Sequence, residues 1–94
     1  MRIEWDLSKA AANIKKHRVS FEVAATVFDD PYAISIEDHG SSHEERWVTI
    51  GLAADERTLV VIHTWRDTTD KELIRIISAR RATKREAKQY EEGI

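Results

Sequence analysis

The sequence predicts an α+β domain, and three observations carry the prediction. Apolar residues recur at helical spacing in two segments before residue 30. They alternate in strand fashion through four segments between residues 32 and 80, and a capping box then opens one more helix. Helices grouped ahead of shortly connected strands imply a mostly antiparallel sheet of four to five strands, packed with two N-terminal helices and a C-terminal helix. Ninety-four residues make one domain, 1–94, with no room for a second.

Each element has its own signal. Arg2 to Trp5 alternates and reads as a short strand. Asp6 is placed to cap a helix from Leu7 to His17, with Ala10, Ile14 and His17 on one face. Ser20 can cap a second helix, in which Phe21, Ala24, Ala25 and Phe28 form an apolar stripe. Asp29-Asp30-Pro31 ends it, because proline disfavours helical geometry in the residue before it.

Tyr32 to Ile36 alternates weakly, and Glu37 to Glu45 is the clearest loop in the chain. Arg46 to Ala53 reads as a strand, Ala54 to Arg57 as a turn, and Thr58 to Trp65 as a strand whose run of apolar residues implies burial on both faces. Arg66 to Glu72 is polar and reads as a loop. Strand Leu73 to Arg80 would then carry Ile74, Ile76, Ser78 and Arg80 on one face, with Leu73, Arg75, Ile77 and Ala79 on the other. Thr83 and Glu86 form a Thr-x-x-Glu capping box for a helix to Glu92. Lys84 and Arg85 in its first turn and Glu91 and Glu92 in its last oppose the helix dipole, each costing roughly 0.3–1 kcal/mol where exposed. Such a helix needs a surface to dock on.

Composition narrows the function classes. With no cysteine, disulfides and thiolate zinc sites are excluded. The N-terminal Met1-Arg2-Ile3-Glu4-Trp5-Asp6 does not read as a signal peptide, and no stretch approaches the length of a membrane span. The expectation is a cytoplasmic protein with no membrane partner. The net charge of −2 conceals an asymmetry: residues 1–56 hold 6 Lys/Arg against 11 Asp/Glu, residues 57–94 hold 9 against 6. Arg80, Arg81, Lys84, Arg85 and Lys88 concentrate the basic part, as phosphate binding or simple solvation of a helix would.

Several blocks together resemble the BrnT family of type II toxins, which share the RelE-like ribonuclease fold. They are Glu4-Trp5-Asp6, Lys9-Ala10 with Asn13 and Lys16-His17, Val19-Ser20-Phe21-Glu22, and Phe28-Asp29-Asp30-Pro31. They continue through Glu45-Arg46-Trp47-Val48-Thr49-Ile50-Gly51, Leu59-Val60-Val61 with Thr64 and Arg66, and Ile74-Arg75-Ile76-Ile77-Ser78-Ala79-Arg80-Arg81-Ala82-Thr83. The resemblance implies an RNA-cleaving growth inhibitor, and the arginine- and lysine-rich set with scattered histidines suits an endoribonuclease working without metal or cofactor better than a carboxylate–metal scheme. The resemblance also implies neutralisation by a BrnA-like ribbon-helix-helix antitoxin in a heterotetramer, which would meet operator DNA only through the antitoxin. Related RelE-like toxins cut messenger RNA on the ribosome. Arg18 departs from the glycine usual after the first helix, and His63 and Trp65 depart from the usual tyrosine and glutamate.

Metal-free RNA cleavage needs a base for the 2′-hydroxyl, cations for the phosphorane and an acid for the leaving 5′-oxygen. Arg80 is the first candidate for the phosphate, since a planar guanidinium grips it through two donors; the alternative is a surface salt bridge. Arg75 falls in the sheet interior on the alternation above, where it would serve either an ion pair or RNA. Arg46 and Arg66 are candidate phosphate clamps at strand ends. His17 is the acid–base candidate, with Lys16 beside it, although a histidine on an apolar helix face is more often core or C-cap; His63 is a second candidate base. Arg81, Lys84, Arg85 and Trp65 are candidate RNA contacts, Trp65 by stacking, while Trp5 and Trp47 read as core. His39 and His43 with Glu44 have metal-like spacing in a loop and are set aside. The antitoxin is expected over the basic strand-to-helix corner. A second reading is a non-catalytic RNA- or protein-binding module of the same fold.

Overall fold

Residue patterning becomes structure most directly in the helices. In a computed structural model describing residues 1–40, 45–67, 69 and 71–93, α1 spans Leu7–His17 and Asp6 caps it, its carboxylate accepting from the Ser8 and Lys9 amides. It ends at Arg18, whose φ of 61° is left-handed. Ser20 caps α2, Phe21–Ala25. The stripe from Phe21 to Phe28 does not continue as one helix. Thr26 turns its hydroxyl back to the Val23 carbonyl and accepts from the Ala54 amide, and the chain tightens into a 3₁₀ turn over Thr26–Asp29.

Five strands follow the chain order as β1 (Arg2–Trp5), β2 (Ile34–Asp38), β3 (Arg46–Leu52), β4 (Thr58–Asp67) and β5 (Glu72–Arg81). They form one sheet in the order β1-β5-β4-β3-β2, antiparallel except that β1 runs parallel to β5. β2 begins two residues later than its alternation suggests, because Asp30 holds the preceding turn through the amides of Tyr32 and Ala33. The polar segment 66–72 is mostly strand: Arg66 pairs with Leu73 and Asp67 with Glu72, so hairpin pairing outweighs polarity there.

A bulge between Ile62 and His63 changes which residues share a face. His63 pairs with Ile76 and Ile62 with Ser78, leaving Ile77 as the extra residue of β5. Beyond it the alternation reverses. Ile74, Ile76 and Ala79 therefore lie on one side with Leu59, Val61, Ile3 and Trp5, against Ala10, Val19, Phe21, Ala24 and Val27 from the helical layer. Gly51 lets the 3₁₀ turn approach, since a Cβ there would meet Val27 Cγ1 at 2.8 Å. Where β1 stops, Asn13 of α1 takes over as partner to β5. Its amide donates to the Ala79 and Val19 carbonyls at 2.8 and 2.9 Å, and its oxygen accepts from the Ala79 amide at 3.1 Å.

The other side of the sheet is the open face. α3, Lys84–Glu92, covers one end of it, with the predicted Thr83–Glu86 capping box intact and Gly93 closing its C-terminus. It contacts β3, and Ile50 and Val60 beneath that end are buried. Tyr90 ties it down, donating to Asp30 Oδ2 at 2.6 Å. Hydrogen bonds from Tyr90 and from the Leu52 and Tyr32 amides outweigh burial and hold the Asp30 carboxyl below its ordinary range. No described helix is long and apolar enough to cross a membrane.

Candidate functional site

The uncovered end of the open face gathers arginines by register. Glu4 on β1 pairs with Arg75 on β5, Arg75 with Thr64 on β4, and Arg46 on β3 follows in the same row beside Thr64, opposite Asp38 on β2. The next row holds Arg66, Leu73 and Arg2. Among the described residues, this corner thus sets Arg2, Arg46, Arg66 and Arg75 against the carboxylates of Glu4 and Asp38. Strands lie about 4.8 Å apart, so Arg46 and Arg75 flank Thr64 as cross-strand neighbours on this face, with Arg66 two residues farther along β4.

Two clefts flank Thr64. One, of ~300 Å³, is lined by Glu4, Thr64, Arg66, Leu73 and Arg75. The other, of ~280 Å³, is lined by Glu45, Thr64, Trp65 and Arg66. Thr64 and Arg66 border both. Volumes near 300 Å³ are at the small end for ligand sites.

Arg75 is not in the sheet interior. The bulge turns it to the open face, where Nη1 donates to Glu4 Oε2 at 2.8 Å and the side chains remain 47% and 37% exposed. Among the described residues, that bond is the only one their side chains make. Arg80, on the same face, is bound differently. Its Nη1 and Nη2 donate to Glu86 Oε1 and Oε2 at 2.7 and 2.8 Å, and Oε1 also accepts from the Thr83 amide. That grip, led by the Arg80 hydrogen bonds, lowers the Glu86 carboxyl to about 2. Arg80 therefore sits in a salt bridge that braces α3, and it lies roughly 15 Å along the strand from Arg75.

The remaining candidates are dispersed. Lys16 and His17 end α1 in the helical layer, where with Lys15 they complement the helix dipole. Arg81, Lys84 and Arg85 are exposed around the start of α3. Trp65 is on the helical side, its ring 5.2 Å from that of Trp47 and packed against the core, and it also lines the second cleft beside Arg66; Trp5 packs on the same core against Phe21. His43 and Glu44 lie outside the described residues, and no metal-binding group of His, Cys, Asp and Glu occurs among the described ones.

His63 is fully buried. Its Nδ1–H donates to the Thr64 carbonyl at 2.9 Å, so its Nε2 accepts from the Thr49 hydroxyl at 2.6 Å, and Thr49 in turn accepts from Ser35 at 2.7 Å. Burial pushes its pKa below the ordinary histidine value and keeps it neutral. Both nitrogens are used and no surface reaches it. It fixes β4 next to Thr64 rather than touching anything outside the protein.

Sequence reasoning missed Glu4 and Thr64 as site residues. Both stand in the blocks that carry the family resemblance, but only the parallel β1–β5 pairing reveals that they are neighbours.

Comparison with known proteins gives a consistent answer. A family model described as the ribonuclease toxin BrnT of type II toxin–antitoxin systems matches residues 5–86. No curated protein matches the sequence. The fold is similar to the crystal structure of the Brucella abortus ribonuclease toxin BrnT, with a TM-score of 0.63 and 23% identity, over 89% of this chain and 99% of that one.

Proposed function

The chain belongs to the BrnT family of ribonuclease toxins of type II toxin–antitoxin systems, and from that premise we propose that it is a metal-independent endoribonuclease whose cleavage centre is the arginine-rich end of the open face. One observation carries this: Arg46, Arg66 and Arg75 come from three adjacent strands and surround Thr64 beside an open cleft. Convergent cations are what the reaction needs most, because the phosphorane gains charge as it forms. Rigid strands hold these side chains at little reorganisation cost, and the Thr64 hydroxyl adds a neutral donor among them.

Attack by the 2′-hydroxyl on the adjacent phosphate would leave a 2′,3′-cyclic phosphate and a 5′-hydroxyl. Arg75 and Arg66 hold the scissile phosphate, while Arg46 holds a neighbouring one across the sheet. The exposed Arg81, Lys84 and Arg85 lie farther along and serve as steering charge for RNA or for an acidic segment of the antitoxin. A ribbon-helix-helix antitoxin, joined in a heterotetramer, is part of the same proposal, and so is action in the cytoplasm.

The test is RNA cleavage by purified protein, on free transcript and on transcript under translation, with end-group analysis and added chelator. Cyclic phosphate ends formed in chelator support the reading. Loss of cleavage in chelator would require a metal. RNA retarded on a gel yet intact after hours would instead indicate a binding module that cuts nothing. Co-expression with the neighbouring antitoxin gene, followed by a mass measurement of the complex, tests the partner.

A further inference from the structure

We propose that Glu4 is the general base of this cleavage, the carboxylate that takes the proton from the 2′-hydroxyl, and that Arg75 holds it there. The inference rests on the nuclease reading above and adds to it the group that the arginines cannot supply. A guanidinium has no basic lone pair at neutral pH. A base must lie within hydrogen-bond reach of the 2′-oxygen, which is bonded next to the attacked phosphate. It therefore has to border the same cleft as the cations.

Glu4 is the carboxylate lining the cleft with Thr64, Arg66 and Arg75. Arg75 occupies Oε2 alone, and Oε1 has no partner among the described residues. The other acids near this face are placed less well. Glu45 lines the second cleft with Thr64 and Arg66, but not the one that Arg75 lines. Both oxygens of Glu86 are taken by Arg80, Thr83 and the capping box. Asp38 is on β2, three strands from β5, and accepts from the Gly40 amide. The described histidines fail on position: His63 is buried with both nitrogens bonded, His17 is in the helical layer, and His39 lies beyond β2 beside Glu37.

In the step, the 2′-O–H bond breaks and its proton passes to Glu4 Oε1, while the oxygen's electron pair forms the new bond to phosphorus. The P–O5′ bond breaks and its electron pair stays on the 5′-oxygen, which takes a proton from water in the open cleft. The hydroxide so formed removes the proton from Glu4. One proton has moved from the 2′- to the 5′-oxygen, and the carboxylate is restored.

Purified wild type, Glu4→Gln and Glu4→Ala test this on a transcript that the wild type cleaves. Glu4→Gln is expected to cut at least 100-fold more slowly while binding a transcript with a 2′-deoxy scissile nucleotide within about threefold of wild type. Glu4→Ala should regain rate in proportion to added formate, which a merely structural glutamate would not allow. Should both variants misfold, the wild-type profile decides: its rate must rise from acid pH to a plateau, because a carboxylate base works only when ionised. Near-normal cleavage by Glu4→Gln, or a wild-type profile with no acid limb, overturns the base and leaves the nuclease standing. A wild type that cleaves no RNA overturns both.

Discussion

Two arginine–glutamate pairs share the open face of β5, and they differ in what they leave unused. At the α3 end, Arg80 and Glu86 meet through two parallel hydrogen bonds, and the Thr83 amide takes up further capacity of the carboxylate. At the other end, Arg75 and Glu4 meet through one bond in an open cleft. Charge-assisted bidentate pairing adds both strength and geometric definition, so the first pair joins strand to helix. The second keeps donors and an oxygen facing outward. The same two residue types thus serve structure at one end and, on the proposed function, chemistry at the other. A saturated pair is a joint; an unsaturated one is a tool.

The largest effect that would break this contrast concerns the open end. Arg75→Ala and Arg66→Ala should each lower RNA cleavage by about 10²–10³-fold, the loss seen when one preorganised charge-stabilising donor is removed. Arg75 is exposed, so its replacement should change stability by no more than about 0.5 kcal/mol. Growth arrest on induction without antitoxin, read beside a thermal melt, separates the two quantities. An Arg75→Ala toxin that arrests growth as well as wild type would place the chemistry elsewhere.

The closed end should respond in the opposite sense. Thr83→Ala removes the cap of α3 and should cost about 1 kcal/mol, a fall in Tm of roughly 4–8 °C for a domain of this size. Arg80→Ala should behave alike, with cleavage per folded molecule retained below the melting range. If Arg80→Ala instead melts normally and cleaves nothing, Arg80 belongs with the phosphate after all, as its position in the sequence first suggests.

Acid sharpens the comparison further, because one group at the closed end and one behind the open end titrate apart. The folded-state pKa of His63 is depressed below 6.5 by burial. Below that value the unfolded chain binds a proton that the folded chain refuses, so stability falls as pH falls. The Glu86 carboxyl is lowered from 4.5 to about 2. Its contribution is complete above 4.5 and disappears as pH drops towards 2. Melting curves across this range should show a first decline beginning near pH 6.5 and a second below 4.5. Glu86→Gln should shrink the second and leave the first unchanged, the remainder coming from Asp6, Asp30 and Asp55, whose carboxyls are also held low.

Why the sequence revealed one end and not the other follows from range. α1 from Leu7 to His17, its Asp6 cap and the Thr83–Glu86 box depend on neighbours within one helical turn, and each was legible from spacing. The family blocks likewise contain Arg46, Arg66 and Arg75, the arginines on which the proposed site is built. What alternation alone misplaced was the face of Arg75. A single extra residue, Ile77, reverses the pattern and brings Arg75 to the side of Arg80. No local composition marks that bulge. Glu4 was hidden for a similar reason, since its neighbours come from a strand about seventy residues away.

The smallest expected effect lies at the end of α1 and uses that same locality. Arg18 sits at φ 61°, a left-handed position where glycine avoids the Cβ clash. The Arg18 contact through which Arg57 reaches it is made to its backbone carbonyl, at 3.0 Å, and survives loss of the side chain. Arg18→Gly should therefore raise stability by about 0.5–1 kcal/mol, less the extra freedom it gives the unfolded chain. Lys16 and His17 are adjacent, so the variant also tests whether they touch RNA. Relaxing the turn beside a catalytic histidine should disturb cleavage, whereas a turn remote from the chemistry should melt higher and cut at the same rate. The second outcome is expected, because the helical layer and the open cleft lie on opposite sides of the sheet.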